Sequence, residues 1–384
     1  MVWKTMDVQE QRVRFVVTAA RREKSLAAVC REFEISRPTG YMWLKRYEES
    51  GIAGIAERSR RPLYSPKRTV KELEQRVVEA RKQYPDWGAR KLKVVLAREK
   101  VKLTASTIQR VLARHDLIRE QDRHRPALQR FERSAPNELW QMDFKGRKHW
   151  NLEVGPLSVL DDHSRYLIVL QALAGTRAEL VREQLEQAFT ECGVPDAMLM
   201  DHGVPWWSEM APTGATSLTI WLMKQGIGLH WSGYRHPQTQ GKVERFHGEL
   251  ERAWVLRQGI RQEPQPWLDA YRWEHNHVRP HEALAMKTPA SVWQKSHRVY
   301  DPHPPAWEYP SGSRVLKVDS SGKLDAYGLR WSISRALCGE RVQLERVGSR
   351  ALVYYCRTLI RELDLQKGSS LTVERYKTNP DAQR

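Results

Sequence analysis

The sequence predicts a multidomain α/β protein: two helix-turn-helix units at the N-terminus, a mixed sheet with flanking helices in the middle, and a small β-barrel at the C-terminus. Three patterns predict it. Apolar residues recur at helical spacing as far as residue 118. From residue 137 they give way to short runs rich in β-branched, aromatic and aliphatic residues. From 311 to 365, apolar and polar residues alternate between glycine-marked turns, as in a small barrel. A chain of 384 residues has room for several such cores. The expected segments are a first helix-turn-helix domain (1–56), a basic linker (57–69), a second helix-turn-helix domain (70–122), a central core (134–297), the barrel (311–365) and a polar, loose tail (366–384).

Residues 8–49 read as three helices, VQEQRVRFVVTAARR, SLAAVCREF and PTGYMWLKRYEES, with Ser25 and Ser36 at N-cap positions. The second and third are joined too closely for anything but a helix-turn-helix corner. On the third helix Arg37, Thr39, Tyr41, Lys45 and Arg46 are groove-facing candidates, with Trp43 and Leu44 nearer the core. A plain helical bundle would share this spacing; the basic, polar outer side favours DNA reading. In GIAGIAERSRRPLYSPKRT, Arg60, Arg61, Lys67 and Arg68 belong to an irregular stretch suited to lying along phosphates. The unit from 71 to 118 has a similar layout without a residue-by-residue repeat. Thr104 or Ser106 caps its last helix, which offers Thr107, Gln109, Arg110 and Arg114.

The balance of 64 Lys plus Arg against 46 Asp plus Glu gives a formal net charge of +18, so a polyanionic partner is the first expectation. No apolar run approaches the roughly 20 residues needed to span a bilayer, and the N-terminus lacks the pattern of a signal peptide. A cytoplasmic location follows. Cys30, Cys192, Cys338 and Cys356 form no metal-ligand spacing and read as reduced core residues. The 15 tryptophans are scattered, which suits core packing better than a stacking platform.

In the middle segment, LWQMDF, LSVLDDHS and RYLIVLQAL read as a strand meander, followed by a helix (177–191), a strand (197–200), a helix (216–225), a strand (228–231) and two further helices. Period-2 alternation turns Asp143 away from the large apolar face of its strand. Asp201 ends AMLMD, and ligands of open α/β sheets bind outside the carboxyl ends of strands. Within HPQTQGKVERFHGEL, Val243, Phe246, Leu250 and Trp254 form one apolar stripe, with Glu244 on its rim, Lys242 on the opposite rim and Arg245 outward. Singly, each acid is a solvated or capping carboxylate. Together, two strand acids and one helix acid can converge on hard divalent cations. Asp161 and Asp162 read as hairpin-turn residues rather than metal ligands.

WQMDF, VLDDHSRY, LMDHG, HPQTQGKVERFHGEL and NHVRPHEALAMKTPASVW resemble, in order, the motifs of bacterial insertion-sequence transposases with a catalytic core of the retroviral-integrase type. The resemblance implies a ribonuclease H-like core. It makes Asp143, Asp201 and Glu244 an Asp-Asp-Glu triad for Mg²⁺ or Mn²⁺, two ions per site, and gives Lys242 and Arg245 a role against DNA backbone. The implied reaction is cleavage and strand transfer of double-stranded DNA by a homo-oligomer. His236, His247 and His281 fall inside these motifs as positioning or packing groups. This sequence departs from the pattern at three points. Asp201 and Glu244 stand 43 positions apart, longer than the commonest family spacing, with the excess in PWWSEMAPTGAT. His202 replaces the usual Asn. Helix-turn-helix units stand where retroviral integrases carry a zinc domain. A non-catalytic DNA-binding regulator and a nuclease that never joins ends are the rival readings.

If the helix near Pro38 reads base edges, Lys45→Ala and Arg46→Ala relax discrimination between terminal and unrelated duplexes, by roughly 1 to 3 kcal/mol for each bidentate bond to a base that is removed. Removing Arg60, Arg61, Lys67 or Arg68 weakens all duplexes alike and flattens the salt slope by about one unit per phosphate no longer neutralised. Titrations of both duplexes over several salt concentrations check this; loss of specificity in the linker variants would reverse the assignment.

Overall fold

The computed structural model describes residues 8–57, 68–118, 132–147, 150, 152–208, 211, 213–232, 241–259 and 263–372. The chain divides into two compact units, Met1–Arg68 and Thr69–Arg384. Arg60, Arg61, Lys67 and His236 lie outside the described residues.

In the first unit α1 (Val8–Ala20), α2 (Leu26–Glu32) and α3 (Arg37–Ser50) enclose Phe15, Val16, Val29, Cys30, Trp43 and Ile55. Ser25 accepts the N–H of Ala28 and Ser36 that of Thr39, so both predicted caps satisfy otherwise unpaired first-turn donors. Gly40 sets how closely α3 approaches: a Cβ there would lie 2.4 Å from Cys30 Sγ.

The second unit opens with α4 (Lys71–Gln83), α5 (Ala89–Arg98) and α6 (Ala105–Arg114), packed around Trp87, Leu92, Leu96, Ile108 and Val111. Thr104 caps α6 through the N–H of Thr107. A five-stranded mixed sheet follows, of order β3-β2-β1-β4-β5. Antiparallel β1 (Trp140–Phe144), β2 (Leu157–Asp161) and β3 (Leu167–Gln171) form the expected meander, and β4 (Ala197–Met200) and β5 (Gly228–Trp231) add in parallel beside β1. Trp140, Met142, Met198 and Met200 share a core with α7 (Ala178–Cys192) and α8 (Ser217–Lys224). Leu160, Leu167 and Leu170 pack with α9 (Gly241–Leu256) and α10 (Pro264–His277) through Phe246, Leu250, Trp254, Trp267 and Tyr271.

Closure of the C-terminal strands into the expected barrel is not seen among the described residues. β6 (Arg314–Lys317), β9 (Arg341–Val347), β10 (Arg350–Tyr355), β11 (Thr358–Asp364) and β12 (Ser369–Thr372) make an open sheet of order β12-β11-β10-β9-β6, and β7 (Lys323–Ala326) pairs only with β8 (Leu329–Ser332) among the described residues. The physical reason is that alternation specifies a buried face and says nothing about edge pairing. Here the hairpin shares that face, placing Leu324 and Trp331 in one core with Val342, Leu344 and Val353. The run after Gln366 also differs from a loose tail, because Ser369–Thr372 pairs with β11 and Ser370 Oγ accepts from Arg361. Of the four free cysteines three are buried as expected; Cys338 is exposed, in the turn after β8.

Within the second unit a buried charge network joins α4–α6 to the sheet's helices. Asp86, 1% exposed, bonds Arg257 Nη2 at 2.6 Å and Arg279 Nη1 at 2.8 Å; Arg279 also meets Glu249 at 2.9 Å and Arg257 meets Glu274 at 2.7 Å. Burial pushes the Asp86 carboxyl up, but the charges and hydrogen bonds of Arg279 and Arg257 outweigh it, and the net shift is below 3.8. Asp86→Ala leaves two guanidiniums short of a partner and lowers stability by about 3–5 kcal/mol. Because the shift is downward, Asp86 adds stability above pH 3.8 that is lost as pH falls below it. Denaturant midpoints of both proteins from pH 7 to pH 3 check this: the gap closes on acidification.

Candidate active site

Alternation puts Gln141 and Asp143 on the face of β1 opposite Trp140 and Met142, toward α9. Gln141 pairs with Leu199 across the parallel β1–β4 ladder, and continuing that register by two residues sets Asp143 level with Asp201 (143 − 141 = 201 − 199). Glu244 lies in the first turn of α9, exposed, beside buried Val243 and Phe246.

Three local features hold these acids. Asp201 Oδ1 accepts the backbone N–H of Gly203 at 2.9 Å and the indole N–H of Trp206 at 2.6 Å. Asp143 Oδ2 stands 3.6 Å from His247 Nδ1, while His247 Nε2 meets Ser158 Oγ at 3.0 Å. Burial, then the Lys145 charge, push His247 down to about 3, so the imidazole is neutral. The start of α9 is pinned to the sheet: the Val243 N–H donates to Gln141 Oε1 (3.3 Å), Gln141 Nε2 donates to Asp162 Oδ1 (2.8 Å), and Lys242 Nζ meets Asp162 Oδ2 (2.6 Å).

The electrostatics are those of gathered acids. Burial first, then the charge of Asp201, and more weakly that of Glu244, push the Asp143 carboxyl up to about 7. Partial desolvation also raises Glu244, although its side chain stays largely exposed. Among the described residues no three His, Cys, Asp or Glu side chains close around a point where an ion would sit. The donors are nonetheless all carboxylate oxygens whose mutual repulsion a hard divalent cation relieves, and in that chemical sense the set fits Mg²⁺ or Mn²⁺. Beside Asp201 opens a cleft of about 750 Å³ lined by Arg177, Glu179, His202, Gly203, Val204 and Trp207 among others.

The structure brings Asp143, Asp201 and Glu244 into one electrostatic neighbourhood. Lys242 is half-buried with its charge balanced by Asp162, while Arg245 is exposed, 3.9 Å from Glu249. Asp161 accepts from Asn137 N and from Ser164 N and Oγ, which makes it a turn residue. On α3 Arg37, Tyr41 and Lys45 are exposed, Thr39 is half-buried with its hydroxyl on Ser36, and Arg46 lies over the Trp43 ring at 4.9 Å. Arg68 is exposed. On α6 Gln109 and Arg110 are exposed and Thr107 is half-buried; Arg114 pairs with buried Glu74 at 2.8 Å. Sequence reasoning missed Gln141, His247 as the neighbour of Asp143, and Trp206. Alternation would have put Gln141 on the Asp143 face, and the i, i+3 spacing would have set His247 above Glu244.

The five-stranded mixed sheet with flanking helices has the ribonuclease H-like arrangement of an integrase core, and helix-turn-helix units precede it in the sequence. The integrase core domain family matches residues 133–237 and, in a second description, 225–289; a helix-turn-helix domain matches 11–62 and a homeodomain-like domain 39–112. The chain is 25% identical over 62% of its length to the insertion element IS407 uncharacterized 31.7 kDa protein of Burkholderia multivorans, covering 85% of that protein. It is 21% identical to the transposase for transposon Tn552 of Staphylococcus aureus, over 80% of this chain and 71% of that one. Among solved structures, the HTLV-2 integrase catalytic core domain in complex with magnesium is matched at 16% identity over 41% of this chain and 97% of that one, with a TM-score of 0.33. Residues 133–289 thus match the integrase core domain, and the relatives matched over most of the chain include insertion-element proteins and a transposase.

Asp143 holds its proton more tightly folded than unfolded. Stability associated with it is present below pH 3.8 and lost as pH rises through about 7. Asp143→Asn is therefore more stable than the parent protein at pH 8, and the advantage disappears near pH 4. Denaturation of both proteins at the two pH values tests this; an equal difference at both would mean that Asp143 is not crowded by like charge.

Proposed function

We propose that the protein is a DNA transposase, a polynucleotidyl transferase that cleaves and joins the ends of an insertion sequence with Asp143, Asp201 and Glu244 as its metal ligands. The observation that carries this reading is the upward push on Asp143 by burial and by the charges of Asp201 and Glu244. Two segments adjacent in the sheet and one helix contribute these acids to one locality, a costly arrangement unless a cation joins it. When bound, Mg²⁺ or Mn²⁺ supplies Lewis-acid neutralisation of the charge that develops on phosphate oxygens during in-line displacement. The chain's own part is geometric. Gly203 and Trp206 fix one oxygen of Asp201, His247 stands behind Asp143 as a neutral neighbour, and Gln141 anchors the turn that carries Glu244.

Arg37, Thr39, Tyr41, Lys45 and Arg46 on α3, with Thr107, Gln109 and Arg110 on α6, are the proposed DNA-facing residues, and Arg60, Arg61, Lys67 and Arg68 the phosphate-holding ones. Arg245 is placed to meet DNA backbone beside Glu244. Lys242 and Arg114 already balance Asp162 and Glu74 inside the protein, so we assign them to positioning. Joining two DNA ends requires more than one copy of the chain, and a homo-oligomer on DNA in the bacterial cytoplasm follows. The Tn552 relative, itself named a transposase, supports the reading.

Asp143→Asn, Asp201→Asn and Glu244→Gln each remove several kcal/mol of transition-state stabilisation and abolish cleavage of duplexes carrying the ends of the encoding element, while binding to those duplexes is retained. Gel assays in Mg²⁺, in Mn²⁺ and in chelator measure this. Near-parental cleavage by any variant removes that residue from the triad, and cleavage in chelator sinks the metal mechanism. Binding without cleavage in either metal identifies a regulator; cleavage without joining identifies a nuclease.

A further inference from the structure

Trp206 sits in the stretch that lengthens the interval between Asp201 and Glu244, a place where sequence alone shows only a tolerated insertion. Its side chain is nevertheless 1% exposed, part of the main core rather than of a surface loop. The indole stacks on Phe144, with ring centroids 5.5 Å apart and planes 13° apart, and Phe144 directly follows Asp143. The other edge of the same indole donates Nε1–H to Asp201 Oδ1 at 2.6 Å. One rigid ring therefore touches the segments that carry two of the three acids.

The bond to Asp201 is specific in its chemistry. Tryptophan is a donor only, so a buried indole N–H is satisfied by a carboxylate and does not compete with it for cations. A charge-assisted N–H···O⁻ bond is stronger than its neutral counterpart. The Gly203 N–H adds a second donor at 2.9 Å on the same oxygen, and it approaches this closely because residue 203 lacks a side chain: a Cβ would lie 2.8 Å from Oδ1. Two fixed donors on Oδ1 set the plane of the carboxylate. Among the described residues Oδ2 has no donor.

We propose that Trp206 is a positioning residue for the metal site: its indole N–H holds Asp201 Oδ1, so that Oδ2 is the oxygen presented to a divalent cation. This rests on Asp201 being a metal ligand. Partners that orient a metal-binding side chain typically govern affinity about 10- to 100-fold when removed.

The test uses the full chain without DNA and counts free Mn²⁺ by electron paramagnetic resonance, a reading of binding rather than activity. Trp206→Phe keeps an aromatic ring on Phe144 and deletes the N–H. Replacing Trp206 by benzothienylalanine keeps the bicyclic shape and deletes the N–H alone. Both variants are expected to bind Mn²⁺ about 10- to 100-fold more weakly than the parent protein, with duplex binding unchanged. Weakening by Phe but not by benzothienylalanine would show that ring volume matters and overturn the proposal, as would parental affinity in both. Asp201→Asn separates this from the proposed metal chemistry as a whole. If it leaves Mn²⁺ binding intact, Asp201 is no ligand and the metal assignment itself fails; if it abolishes binding while both Trp206 variants bind normally, only the role of Trp206 falls.

Discussion

The joint between Gln141, Asp162 and the first turn of α9 sets everything downstream of it. A helix start leaves four backbone N–H groups without partners, and here the sheet supplies an acceptor: Gln141 Oε1 for Val243 N–H. Gln141 in turn gives its amide N–H to Asp162, whose remaining charge is met by Lys242. Gln141 and Asp162 are 1% and 0% exposed, so each bond is made away from water, where an orphaned partner is costly. The residue after Val243 is Glu244, and the residue two beyond Gln141 is Asp143. A single buried hydrogen-bond chain thus fixes a helix acid against a strand acid, and Lys242, although two residues from Glu244, is drawn to a different carboxylate.

Much of this architecture was legible, and for local reasons. Ser25 and Ser36 cap helices because a short hydroxyl side chain can reach a first-turn N–H, a rule that needs no knowledge of tertiary structure. Strand alternation gave the side on which Asp143 lies, and the apolar stripe of α9 gave the outward placement of Arg245. What stayed hidden depends on partners far along the chain. Lys242 and Asp162 are 80 positions apart, so their pairing follows from how the sheet and α9 meet, which no window of sequence contains. Trp206 is one of 15 tryptophans, and nothing in its neighbours distinguishes a ring that holds a carboxylate from one that fills a core. The C-terminal strands were found, but whether their sheet closes depends on which edges pair, and β7 chose β8 over the sheet's ends.

The buried network of Asp86, Arg257, Arg279 and Glu249 is a costly way to join two surfaces, since apolar packing of equal volume is often as stable. Charge networks have a different virtue: they accept one geometry and reject sliding. The three-helix unit α4–α6 is held by this network to α9, the helix that bears Glu244. On the proposed function, the α6 contacts to DNA and the acids share one body, and such a protein behaves as a ruler. Each base pair inserted between gripped sequence and scissile phosphate would carry that phosphate about a tenth of a turn around the duplex and out of register with the site. For the proposed α6 contacts, position measured along the helix axis then counts for as much as the identity of the bases.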